Sequence, residues 1–401
     1  MLALAGAAGG GRAATPCPGD PALGRVAYVH GAQVRVLDLG SCRDRALPGK
    51  AAQPLRWGPK AASLDVGTWR VRAASGRRIG PAVTWSPNGA SFARTTGGGG
   101  LVGGTTGRAS RTLLPRGWGV TTFGFDQSGR KLTVGRSTYT VPNSSRAANW
   151  HQQIWVVDVR TGARRLVYRV PRGRLEPPWI AGWSPDGKWV LFFADLSSSA
   201  SIAADGLPLR SVRAAGGSAV TIVPHLLAAE DLRTWCKRRL VVASGFDRYT
   251  THGKTLVAAS APRWRARNLS RDATQSWVSP ACAADGERIV AAAGPNRTEN
   301  RFGEERRSVW VLAADGSSRK RLTSPPPGAT DESPRWSSDG RWILFVRSNR
   351  TTRNATAYGS LYLLEVATRR LRGPLARVGP AGNYYGLYGW PSVVAWFQPG
   401  S

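Results

Sequence analysis

Histidines, carboxylates and hydroxyl nucleophiles do most enzyme chemistry, so their types and spacing come first. The 401 residues contain four histidines, His30, His151, His225 and His252. No G-x-S-x-G elbow, H-E-x-x-H pair, phosphate-binding loop, dinucleotide fingerprint or EF-hand loop occurs. The four cysteines, Cys17, Cys42, Cys236 and Cys282, lack zinc-site spacing. An even count instead fits two disulfides in an oxidising compartment, and 17–42 and 236–282 are the geometrically sensible pairs. Reduced, buried thiols are the competing reading. His151 and His252 could converge, but no carboxylate partner is evident for either, and surface histidine is the plainer reading. The sequence therefore assigns no catalytic residue, no cofactor and no metal.

Ordered local structure must position whatever chemistry exists, and its clearest sign is a repeat. Trp183-Ser184-Pro185-Asp186-Gly187 reads as a strand end and a type I turn, with Pro presetting φ at the second position and Gly at the fourth. Lys188 to Phe193 follows as an aromatic-rich strand. The unit recurs at Trp57, Trp85, Phe125, Trp183, Trp235, Cys282, Trp336 and Trp390, at a mean spacing of about 48 residues, in the range of propeller blades. Trp57, Trp235 and Cys282 are degenerate copies. A third strand (Gln153–Val159, Ser308–Leu312, Ser360–Leu364) and a basic fourth strand (Arg164–Tyr168, Arg319–Leu322) complete each unit. Asp186 and Asp339 sit inside these turns, where Asp bonds local backbone, and the recurring Trp reads as packing between units.

Four short antiparallel strands per unit, with almost no helical periodicity, describe a β-propeller blade. The WSPDG-type units resemble the TolB-type, WD-repeat-like propeller family over nearly the whole chain from about Arg25. That resemblance implies an all-β fold: a single β-propeller of four-stranded blades, eight by repeat count. Seven is possible, because Trp57 and Trp85 are close enough to share a blade. The ring is expected to close by joining the N-terminal strands (Arg25–Val29, Gln33–Asp38, Arg45–Leu47) to an inner strand within Tyr384–Phe397. Residues 1–20 form a signal-like N-terminus lacking a basic segment, and residues 21–401 the propeller domain. No run is long enough to span a membrane.

In a four-stranded meander the first-to-second and third-to-fourth turns share one face. The second-to-third and fourth-to-first connections share the other face, and the long insertions, Ser137–His151, Asp195–Pro208, Phe246–Lys254, Pro295–Arg307 and Ser348–Gly359, are expected to be of that kind. Binding residues favour such loops. His151, His252, Arg297, Arg301, Arg306, Arg307, Arg350 and Arg353 are the candidate partner-binding residues there. The formal net charge is +32, carried by 49 Arg and 7 Lys against 24 acidic residues. Scattered Arg on solvated strands would explain it, and so would attraction to a polyanion. No nucleic-acid motif is present. Asn143, Asn268, Asn296 and Asn354 match glycosylation acceptors, as short motifs do by chance. The expectation is a secreted or periplasmic monomer that acts as a non-catalytic scaffold for a protein or anionic glycan. The alternative is a propeller enzyme, a lyase or glycan-acting, with its site at the channel mouth. The resemblance implies envelope partners, although the chain has no separate N-terminal α/β domain of the TolB kind.

Overall fold

The computed structural model describes residues 17–140, 149–195, 204–297, 305–349 and 356–399. Strands account for nearly all regular structure in them. Where the sequence runs apolar without interruption, the strand is buried on both faces: Trp189–Ala194 is buried throughout, and Arg288–Pro295 and Trp342–Asn349 nearly so. Basic runs instead form exposed outer strands, as at Arg43–Ala46 and Arg319–Arg321.

Consecutive strands pair into antiparallel four-stranded sheets spanning Leu55–Pro81, Thr84–Leu114, Val120–Arg169, Pro178–Leu226, Arg233–Asn268 and Gln275–Arg321. A nine-stranded sheet holds the remainder: a meander over Ala329–Arg372, the strands Arg25–His30, Gln33–Asp38 and Arg43–Ala46, and the C-terminal strand Val394–Phe397. Val394–Phe397 pairs antiparallel with Arg25–Tyr28. The strand Arg377–Ala381 joins the two parts through one parallel pair, His30 with Gly379. Trp57 and Trp85 belong to separate sheets.

The apolar cores lie between successive sheets. One unites Trp183, Val190 and Phe192 with Ile154 and Val167 of the preceding sheet. The repeated tryptophans serve this contact with a polar atom too. The indole N–H of Trp183 donates to Gly124 O at 3.1 Å, that of Trp336 to Ala281 O at 3.2 Å, and that of Trp57 to Ala395 O at 2.8 Å. The first two acceptors lie on the first strand of the preceding sheet and the third on the C-terminal strand Val394–Phe397, so the repeat fixes one sheet upon another. The eighth repeat position is not at Trp390. Gly389 caps a single helical turn, Trp390–Val393, with Pro391 in its first turn, and the strand begins only at Val394. Pro is well placed there, since a first-turn N–H has no partner to lose.

The turns are built as the sequence implies. Ser184 Oγ donates to Asp186 Oδ1 at 2.5 Å, Lys188 N donates to the same oxygen, and Trp189 N donates back to Ser184 Oγ. Ser337, Asp339, Arg341 and Trp342 repeat the pattern. Disulfides join Cys17 to Cys42 and Cys236 to Cys282. The second links the ends of two successive first strands. Among the described residues no helix is long and apolar enough to cross a membrane.

Candidate functional site

All five long connections run from a second to a third strand, and the ends of two of them are pinned by buried charge. Lys254 precedes the strand Thr255–Ser260 and is 1 % exposed. Its ammonium donates to the carbonyls of Gly245, Phe246 and Asp247, using its three donors on its own loop. Burial pulls its pKa down to about 8, against the opposing pull of Asp247 and Asp205. In the same loop Arg248 makes a forked pair with Asp205, at 2.6 and 2.9 Å, and lies 5.4 Å over the Tyr385 ring.

Arg307 ends the next long connection. Its Nη1 donates to both Glu332 oxygens and to Gly386 O, each at 2.9 Å, and its Nη2 donates to Thr250 Oγ1 at 2.6 Å. Four segments thereby meet at one guanidinium. Gly386 permits it: φ is +81° and a Cβ would come within 2.7 Å of Thr250 Oγ1, so both backbone and space require glycine. Strand alternation explains the neighbouring pair. Asp331 and Glu332 point to opposite faces of Ala329–Trp336, and Asp331 takes its own arginine, Arg347, at 2.6 and 2.9 Å. Burial raises the Glu332 carboxyl to about 7; Arg307 opposes this, and the buried Glu305 adds like-charge repulsion.

A second group gathers where first strands meet. Glu230 lies 3.8 Å from Arg56 of the Leu55–Trp57 strand, although the two are far apart in the chain. Next to it Asp231 is 5 % exposed and accepts from Ser279 Oγ at 3.0 Å. Ser279 sits at a bulge with φ of +51°, which redirects its side chain. Burial pushes the Asp231 carboxyl up, with the charges of Arg335 and Arg233 opposing. Asp65, paired in register with Arg56, is also raised by burial, to about 6. This arrangement could hold an anion or move a proton. No cluster of three or more metal-ligating side chains occurs among the described residues.

The residues singled out in the sequence fall in different settings. His151 is exposed on the strand Trp150–Asp158. His252 does have a carboxylate partner, Asp247, at 3.0 Å. Arg297 donates its main-chain N–H to Thr251 O, and Arg306 is exposed with φ of +34°. Arg307 departs from the expected exposed rim: it is 1 % exposed and bonded inward, because Glu332, Thr250 and Gly386 close over it. Arg301, Arg350 and Arg353 lie outside the described residues. The side chain of Asn296 is occupied by Gly253 N and Ala273 O. Sequence reasoning missed Glu332, Asp231, Asp65 and Arg56. Adjacent carboxylates in a Thr-Asp-Glu-Ser-Pro strand were the one available signal, since two charges entering a buried strand require partners.

Meandering four-stranded sheets, packed one on the next through tryptophan, give the chain a β-propeller-like fold. No family model and no curated protein sequence matches it. Solved structures resemble it at low identity. Dipeptidyl peptidase 4 from Porphyromonas gingivalis aligns with a TM-score of 0.59 and 9 % identity, over 90 % of this chain and 58 % of that one. A eukaryotic initiation factor aligns with a TM-score of 0.53 and 12 % identity, over 95 % and 90 %. TolB from Acinetobacter baumannii is similar at a TM-score of 0.33 and 14 % identity, over 91 % and 78 %. These likenesses concern the fold alone.

Proposed function

We propose that the chain is a secreted or periplasmic propeller that acts as a non-catalytic scaffold, holding a protein or anionic ligand on its loop-rich face. In this reading the propeller has eight blades: the six separate sheets, the Ala329–Arg372 meander, and a blade shared by the two termini. Pairing of Val394–Phe397 with Arg25–Tyr28 supports a ring closed between the ends of the chain, and the two disulfides support an oxidising compartment.

One observation carries the binding role. The five long connections each run from a second to a third strand, which in this reading puts them on one side, and the Arg307–Glu332 and Lys254 networks fix the ends of two of them. A frame ordered before binding loses less entropy when a partner docks. Arg306 and His151 stay exposed on it. His252, Arg297, Arg301, Arg350 and Arg353 belong to the same connections by sequence and complete the proposed rim. The test is capture from a cell-envelope extract on immobilised protein at rising salt, comparing the natural chain with a His151→Glu, Arg306→Glu variant. A partner retained by the natural chain, weakened at least tenfold by the variant and shed steeply with salt is expected. Equal retention by both would remove the reading.

The convergence of Asp231, Ser279, Arg233 and Arg335 favours a second reading, an enzyme acting on glycans at the channel mouth. Turnover of an acidic glycan that disappears in Asp231→Asn, with capture unchanged, would replace the scaffold by that enzyme.

A further inference from the structure

The tight-turn side carries an unassigned cavity of about 630 Å³, within the roughly 300–1,000 Å³ typical of ligand sites. It is lined by the Ser184–Lys188 turn and by residues of the sheets before and after it. Five cations line it: Lys131, Arg165, Lys188, Arg213 and Arg238. The single carboxylate is Asp186, bonded to Ser184 Oγ and Lys188 N and under the electrostatic pull of Lys188 and Arg238, so one negative charge faces five positive ones. Elsewhere in the molecule some buried or half-buried arginines have acidic partners, as in Arg307–Glu332, Arg347–Asp331 and Arg248–Asp205, while others donate to a backbone carbonyl of a neighbouring sheet, as Arg239 does to Ala314 O. Here Arg165 donates to Ala214 O and Arg213 lies 5.4 Å over the Trp189 ring. The side chains of Lys131, Lys188 and Arg238 have no hydrogen bond or ion pair among the described residues. Like charges gathered around a concave surface raise the local potential and cost folding energy unless an anion joins them. The half-buried ring of Trp235, with Ala261 and Pro262, adds an apolar wall.

We propose that this cavity binds a sugar-sized ring bearing two or more sulfate or phosphate groups, on the opposite side of the sheets from the loop-rich face. The oxyanions pair with Lys131, Lys188 and Arg238, and the ring lies against Trp235. The site is independent of the scaffold role proposed above.

Calorimetric titration with sucrose octasulfate and with inositol hexakisphosphate tests it. Binding of one probe molecule per chain is expected, weakened at least tenfold in Lys188→Glu, Arg238→Glu. The milder Lys188→Gln, Arg238→Gln should weaken it in the same direction, and unchanged melting temperatures would confirm that both variants fold. A charge-matched control, Arg43→Glu, Arg377→Glu, at exposed positions outside the cavity, should bind within twofold of the natural chain. Binding of the sulfate probe alone identifies a sulfated sugar, binding of the phosphate probe alone a phosphorylated ring, and binding of both the shared chemistry. Absence of one-to-one binding for either probe, or equal weakening by cavity and control variants, overturns the site.

Discussion

Arg307 and Glu332 show how far a single residue's role depends on what surrounds it. In sequence, Arg307 is one cation in a basic loop. In the fold it is the hub of a buried network that includes a carboxyl raised to about 7. A folded-state value above the ordinary 4.5 means that the folded protein holds this proton more tightly than the unfolded chain. Its contribution to stability is therefore complete below about pH 4.5 and lost as pH rises through about 7. Asp65, raised to about 6, acts in the same direction. Urea unfolding followed from pH 4.5 to 7.5 should show stability falling with pH from these two groups. Glu332→Gln should flatten that slope; an unchanged slope would mean that Glu332 titrates normally. The partner of His252 was overlooked in the sequence although Asp247 lies only five residues upstream. The partners of Arg307 come from three distant stretches of chain, and no local pattern links them.

At the scale of the element, the repeat was readable because turns and strands follow local rules. Pro at the second turn position, Asp bonding nearby N–H groups and an apolar run after Gly need no tertiary information. The role of the tryptophan follows from burial: Trp183 is 4 % exposed and bonds to Gly124 O of the neighbouring sheet. Trp183→Ala should destabilise by about 3–5 kcal/mol, as large aromatic truncations do. Trp183→Phe keeps most of the packing and loses the hydrogen bond, at about 1 kcal/mol. Chemical denaturation separates the two, and a cost below ~1 kcal/mol for the alanine variant would refute packing between sheets. Trp390 misled the reading because WPSVVAWF has the same apolar pattern as a strand. Its first four residues instead form the helical turn that Pro391 favours.

At the scale of the molecule, the C-terminal strand does most for so few residues. Val394–Phe397 covers the edge of Arg25–His30 and supplies Ala395 O to the Trp57 indole. Removing residues 394–401 would leave an open strand edge, a template for aggregation. The truncated chain should lose its cooperative thermal transition or precipitate on light-scattering measurement; an unchanged melting curve would show that this strand pairing contributes little. The charge of +32 also divides at this scale. Much of it lies on exposed outer strands such as Arg319–Arg321, some is neutralised in buried pairs, and some converges on the tight-turn cavity. Sequence alone determined the repeat, the turn chemistry and the all-β class, because each depends on residues within one unit; it suggested the cysteine pairs, which the structure then settled. Only the tertiary structure decided which cations are buried, which carboxylates are buried beside them, and which five positive groups share a cavity. Those depend on distances between units, and a one-dimensional pattern carries no such distances.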